Sequence, residues 1–218
     1  MKRNLIFIFL VAFVSWIWAG EIVYGVLERV KDGDTFQMRI HGKSESIRLF
    51  GIDTPEKFIR RNRKLNRDVR MCGVGREAMV EAGQEASHFA EQVMEVGKTY
   101  KMELMEGSSH GRLIGWVYLP DGKVYNVEVV RQGYGVVYRK YSRTHHQKDR
   151  ELMKAQKYAQ THQKGLWSKY PSIMKCMAKH YTEGIRRYTT PSGLKLSPLF
   201  LLGSIALLAG LLFYMLKK

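Results

Sequence analysis

Cysteine and acid are both scarce in this chain, and each scarcity narrows what it can be. Two cysteines, Cys72 and Cys176, occur in 218 residues, with no Cys-x-x-Cys pair and no histidine at zinc spacing, which argues against a metal role for them. Their pairing is left open; a bridge would close a loop of about 100 residues, worth up to roughly 4–5 kcal/mol in the chain-entropy model. Acids number 20 against 36 lysines and arginines, a formal charge of +16. Internal repeats and low-complexity tracts are missing as well, so the length allows one ordinary domain with attachments.

Both ends read as attachments. Lys2 and Arg3 precede an apolar run from Leu5 to Trp18 and a small pair, Ala19-Gly20, the layout of an export signal over residues 1–20, cleaved or kept as an anchor. Residues 199–216 are apolar and uncharged and end at Lys217-Lys218, which predicts a transmembrane helix over 198–216. Either fate of the first segment puts residues 20–197 in the periplasm or outside the cell. Without Lys2, Arg3, Lys217 and Lys218 the formal charge is still +12. Such a surplus suits a polyanion, either nucleic acid or an anionic membrane surface.

Between the ends, residues 22–30 read as a strand, and Thr35–Ile40 and Glu45–Ile52 alternate polar with apolar, which predicts a three-strand meander. Residues 57–71 carry Lys57, Arg60, Arg61, Arg63, Lys64, Arg67 and Arg70 against Asp68 and show no apolar period, so they read as a basic surface loop. Helical spacing holds from Arg76 to Val96 with Gly97 as its stop. Strands are expected over 100–105 and 113–119, a short helix capped by Asn126, and a helix over 148–162. Tyr134–Tyr138 is short and apolar, and residues 171–197 are the connector to the anchor. The expectation is an α+β, mainly β domain over 21–170: a small five-stranded barrel with helices packed outside.

The chemistry concentrates between Asp32 and Glu56. Asp34 and Asp53 stand at the edges of paired strands, and two carboxylates with a main-chain oxygen suit a hard cation such as calcium. Asp-Gly is also an ordinary turn pair, so Asp34 alone would signify little. Together, Val30-Lys31-Asp32-Gly33-Asp34-Thr35 and Arg48-Leu49-Phe50-Gly51-Ile52-Asp53-Thr54-Pro55-Glu56 resemble the signature of the thermonuclease (staphylococcal nuclease-like) family. Gly111-Arg112, Asn126-Val127-Glu128, Val130-Arg131-Gln132-Gly133 and Gly165-Leu166-Trp167 extend the likeness over about residues 22–168. Gly-x-Glu-Ala occurs at Gly75 and again at Gly83, and the second suits the family's first helix better.

The resemblance implies an OB barrel with three helices and a calcium-dependent phosphodiesterase that cuts DNA and RNA. Asp34, Asp53 and the Thr54 carbonyl would hold calcium, with Asp32 outside them. Glu56 would be the general base, and Arg48 and Arg112 would grip the phosphate. Where the family often has an acid and a basic or aromatic pair before the second arginine, this chain has Ser108, Ser109 and His110.

Arg60, Arg61, Arg63 and Lys64 are candidates for guiding nucleic acid, though the loop could equally be solvated or face anionic lipid. Tyr134, Tyr138 and Tyr141 are candidates for base stacking, with at least one of them expected in the core. The expected protein is thus a monomeric, exported, membrane-anchored nuclease. The alternatives are a nucleic-acid-binding OB module that does not cut, and a lipid-contacting surface protein. The latter leaves the carboxylates unexplained.

Overall fold

Period-two alternation builds the centre of the molecule. The structure, a computed structural model, describes residues 20–59, 62–139 and 146–183. Strand β1 (Glu21–Asp32) buries Val23 and Leu27, β2 (Thr35–Ile40) buries Phe36 and Met38, and β3 (Lys43–Leu49) buries Ile47 and Leu49. After β4 (Ile52–Asp53) come β5 (Thr99–Ser109) and β6 (Arg112–Tyr118). The five longer strands close a barrel in the order β1-β2-β3-β6-β5, as expected. Neighbours are antiparallel except β3 and β6. Closure leaves no open edge to aggregate. Outside the barrel, β4 pairs with β7 (Val136–Val137) and is held there as a short two-stranded ribbon.

The described residues hold six α-helices rather than three: α1 (Arg63–Cys72), α2 (Arg76–Val93), α3 (Tyr125–Arg131), α4 (His146–Thr161), α5 (Leu166–Lys169) and α6 (Pro171–Met177). The first of these corrects the expected basic loop. Asn62 caps α1 by accepting a 3.0 Å bond from the Leu65 N–H, and Gly73 ends it in the left-handed region at φ 61°. Leu65 is buried, and Val69 and Cys72 lie half-buried beside it against α2 and α6. That is i, i+4, i+7 spacing, hidden in the sequence by the charges between.

Other expectations shift in smaller ways. Helix α2 starts at Arg76 with Gly75 as its N-cap, so the first Gly-x-Glu-Ala opens it and the second lies within it. Gly83 has a packing reason to be glycine: a Cβ there would stand 2.4 Å from the Glu56 carbonyl carbon. The helix ends at Val93, ahead of Gly97. Asn126 is no cap. Fully buried, it accepts from the Val117 N–H (3.1 Å) and donates to the Phe50 (3.0 Å) and Gly115 (3.2 Å) carbonyls, tying α3 to the barrel. The connector expected from residue 171 is folded as far as Glu183: α6 is followed by a π-helical turn, Ala178–Glu183, and Ile173, Met174, Met177 and Tyr181 are buried.

Two apolar clusters result. One fills the barrel around Leu27, Phe36, Ile47, Trp116 and Tyr125. The other lies among the helices around Leu65, Met79, Trp167 and Met174. Most of the expected export segment 1–20 and all of the expected span 198–216 fall outside the described residues. Among the described residues no helix is long and apolar enough to cross a membrane.

Cys72 and Cys176 are joined, with Cα atoms 5.5 Å apart and a separation of 104 positions in sequence. The bond staples the end of α1 to α6. Replacing both by serine is expected to lower the free energy of urea unfolding by about 2–5 kcal/mol, an effect that grows with loop length. An unchanged unfolding midpoint would contradict this.

Candidate active site

The end of β1 delivers Asp32 and the turn after it Asp34, β3 delivers Arg48, and β4 with its following loop delivers Asp53, Thr54 and Glu56. A register shift between Val30 and Asp32 bends β1 where it meets this site. Asp34 and Asp53 are 1% and 2% exposed. Charges so enclosed require partners, and Arg48 supplies them. Its guanidinium donates to Asp34 Oδ1 with one arm and to Asp53 Oδ1 with the other. Asp34 Oδ2 accepts from the Thr54 N–H (3.0 Å) and hydroxyl (3.1 Å), and its Oδ1 from the Thr35 hydroxyl (3.0 Å). Burial pushes the Asp34 carboxyl up from its ordinary value, against the pull of Arg48.

Lys64 enters the site from α1. Its Nζ donates to the Thr54 carbonyl at 3.0 Å and lies 3.1 Å from Asp53 Oδ2, 3.0 Å from Glu56 Oε1 and 3.3 Å from Asp68 Oδ2. It is therefore a half-buried cation held among acids in the cleft wall, where the sequence suggested a solvated basic loop. Asn62 completes this corner, its amide donating to Glu56 Oε2 at 2.6 Å while its oxygen caps α1. Burial opposes the charge on Glu56, but Lys64 and the Asn62 bond outweigh it and hold the carboxyl below its ordinary value. Glu56 is thus ionised at neutral pH.

Asp32 lies behind Asp34, accepting from the Ser87 hydroxyl (3.2 Å) and the Gly33 N–H (2.9 Å). Burial, then the charges of Asp34 and Glu56, raise its carboxyl to about 7.

Arg48, Asp53, Glu56 and Lys64 line a cleft of about 580 Å³, and Arg112 lines it as well. Arg112 donates to the Ser109 carbonyl (3.0 Å) and hydroxyl (3.4 Å) and to the Thr35 hydroxyl (3.5 Å). Ser109, in the stretch that departs from the family pattern, is therefore what positions this arginine. Arg63 and Arg67 stand exposed at the rim of the cleft. Tyr138 also lines it and meets Tyr181 edge-on at 5.3 Å, whereas Tyr134 stacks on Phe89 at 4.4 Å and belongs to the core. The candidates Arg60, Arg61 and Tyr141 lie outside the described residues.

Sequence reasoning missed Asn62, Asp68, Ser109 and Tyr181. Asp68 is fully buried, accepts from the Tyr181 hydroxyl and pairs with Lys64 and Arg67. The available signal was a lone acid four residues after a lysine, the spacing of neighbours on one helix face.

Among the described residues no three His, Cys, Asp or Glu side chains form a ready metal-binding group. The fit to a hard cation rests on other grounds. Five carboxylates, Asp32, Asp34, Asp53, Glu56 and Asp68, gather around Arg48, Lys64 and, at the rim, Arg67. Asp53 Oδ2 is buried, with the Lys64 ammonium near but no aligned hydrogen bond. Two carboxylates and a carbonyl oxygen are also the donor types calcium prefers.

Comparison with known proteins bears on the family of the chain. The sequence profile described as "Staphylococcal nuclease homologue" matches residues 46–169, a span that includes Arg48, Asp53, Glu56 and Arg112 and ends before α6. An "Uncharacterized endonuclease" of Escherichia coli O157:H7 is 30% identical over 73% of this chain and 87% of its own length. The "Thermonuclease" of Staphylococcus hyicus is 30% identical over 69% of this chain and 78% of its own. "Endonuclease YhcR" of Bacillus subtilis (strain 168) is 27% identical over 78% of this chain but only 14% of its own.

The Asp32 environment generates a pH prediction. A carboxyl raised to about 7 in the fold takes up a proton on folding between its ordinary value of 3.8 and 7. The stability it contributes is complete below about 4 and is lost as pH rises through 7. Asp32→Asn, which keeps the accepting oxygen, should therefore gain Tm relative to the unsubstituted chain as pH rises from 4 to 8. A constant difference across that range would refute the assignment.

Proposed function

From the premise that the chain belongs to the Staphylococcal nuclease homologue family and is a nuclease hydrolase, we propose that it is an exported, membrane-anchored, calcium-dependent enzyme cutting DNA and RNA with little sequence preference. The observation that carries the reading is the Arg48 guanidinium between Asp34 and Asp53, in a cleft that also holds Glu56 and Arg112.

A phosphodiester attacked by water gathers charge on its equatorial oxygens. Arg112, positioned by Ser109 and Thr35, presents a planar fork to those oxygens, and Arg48, paired with Asp34 and Asp53, would add a second guanidinium beside them. Glu56, ionised at neutral pH and oriented by Asn62, accepts the proton of the attacking water. Calcium, held by Asp34, Asp53 and the Thr54 carbonyl, would supply Lewis-acid polarisation of the phosphoryl group. Asp32 stands behind these ligands and bears on them through Asp34. Arg63 and the basic residues Arg60 and Arg61 before it would meet the backbone of the strand without reading its bases. Tyr138, in the cleft wall, offers a stacking face for a base.

Export is supported by the apolar leader and by the Cys72–Cys176 bond, which suits an oxidising compartment. The apolar stretch 199–216 supports anchoring.

The full chain, purified in detergent, should cleave single- and double-stranded DNA and RNA in calcium and stop when chelator is added. Glu56→Gln is expected to slow turnover by roughly 10²–10⁴-fold with nucleic-acid affinity nearly unchanged. Binding without cleavage under all of these conditions would favour the non-cutting OB module instead. Neutralising Arg60, Arg61 and Arg63 together should weaken binding equally for all sequences. The slope of log affinity against log salt should fall by about one for each phosphate that these arginines had neutralised. An unchanged slope would remove that surface from the nucleic-acid path.

A further inference from the structure

We propose that Lys64 is a tethered cation that competes with the divalent ion for the oxygens of Asp53 and Thr54, and so sets the calcium concentration at which the site loads. This rests on the calcium reading above and adds a residue that reading does not use.

The Lys64 ammonium has four oxygens around it: the Thr54 carbonyl at 3.0 Å, Glu56 Oε1 at 3.0 Å, Asp53 Oδ2 at 3.1 Å and Asp68 Oδ2 at 3.3 Å. Three N–H bonds cannot serve four acceptors. Asp53 Oδ2 and Asp68 Oδ2 are in fact buried without an aligned hydrogen bond, held by charge alone. A cage of carboxylate and carbonyl oxygens suits a spherical ion better than an ammonium with fixed bond directions. Two of the four oxygens, Asp53 Oδ2 and the Thr54 carbonyl, belong to the residues assigned to calcium. A dication drawn to them comes within contact range of the ammonium, where like charges in a poorly hydrated site repel strongly. Ion entry therefore requires Lys64 to leave.

The fold resists that departure. Lys64 is rooted in the first turn of α1, whose start is capped by Asn62 and whose end is stapled by Cys72–Cys176. Asp68, one turn further on, pairs with Lys64 and is itself bonded by Tyr181. Without calcium, Lys64 neutralises carboxylates that would otherwise repel one another. With calcium, its side chain is released toward the cleft, which Lys64 already lines.

Calcium titration by calorimetry on the full chain, with Lys64→Met and Lys64→Arg beside it, tests the competition directly. Lys64→Met should bind calcium roughly tenfold or more tightly, since a like charge close to the ion has been removed. Its Tm should be lower than that of the unsubstituted chain in chelator and should rise further on adding calcium. Lys64→Arg, which keeps the charge, should show no such gain. Equal or weaker affinity in Lys64→Met, with the unsubstituted chain binding calcium normally, overturns the competition and leaves the calcium reading intact. Absence of calcium binding in every protein overturns both.

A second measurement needs no variant. Acylation of Lys64 by an amine reagent, followed by mass spectrometry, should be slow in chelator and fast in saturating calcium. Protection unchanged by bound calcium also overturns the proposal, whatever the fate of Lys64→Met.

Discussion

Two carboxylates sealed from water repel each other and need a cation between them; here the Arg48 guanidinium is that cation. Its flat fork lets one side chain answer two acids, which an ammonium could not do with the same directionality. Asp34 comes from the turn after β1, Arg48 from β3 and Asp53 from β4, so the contact also ties three segments together. The barrel register makes it possible: Arg48 stands opposite Thr35 on β2 and Ile114 on β6. A one-residue slip of β3 would send Arg48 to the opposite face, leaving Asp34 without its ion pair and Asp53 with Lys64 alone. Removing one partner of such a buried cluster costs about 3–5 kcal/mol, because the remaining charge is stranded.

A second layer is built around this first one by helices outside the barrel. Helix α1 brings Lys64 and Asp68, the π-helical turn brings Tyr181, and α2 brings Gly83, whose missing side chain lets the Glu56 backbone lie against it. The disulfide then fastens α1 to α6, beyond the region shared with the family profile. Barrel and helices contribute differently. The barrel sets where the acids and arginines stand, and the helices set which cations reach them and how firmly Glu56 is held.

Legibility followed the range of the forces involved. Strands β1 to β3 and helix α2 were readable because their patterns repeat locally, at period two and period 3.6. Asp32, Asp34, Arg48, Asp53, Thr54 and Glu56 were readable because their spacing forms one recognisable run. Helix α1 was not, since the basic residues from Arg63 to Arg70 masked an apolar stripe of Leu65, Val69 and Cys72. Asn126 was read as a cap because asparagine often caps, yet its three partners, Val117, Phe50 and Gly115, come from other elements. The stretch from Pro171 to Glu183 was read as part of the connector, and it is ordered by apolar residues packing against helices far earlier in the chain.

By itself the sequence determined the barrel, the family, the identity of the acids and arginines in the cleft and the surplus of positive charge, because each depends on residue type and short-range spacing. Tertiary structure alone decided that Cys72 meets Cys176, that Ser109 holds Arg112, and that Lys64 sits among four oxygens instead of in solvent. The physical reason is the same in each case. Whether a charged or polar group is solvated or buried depends on which distant elements close over it, and no local pattern encodes that enclosure.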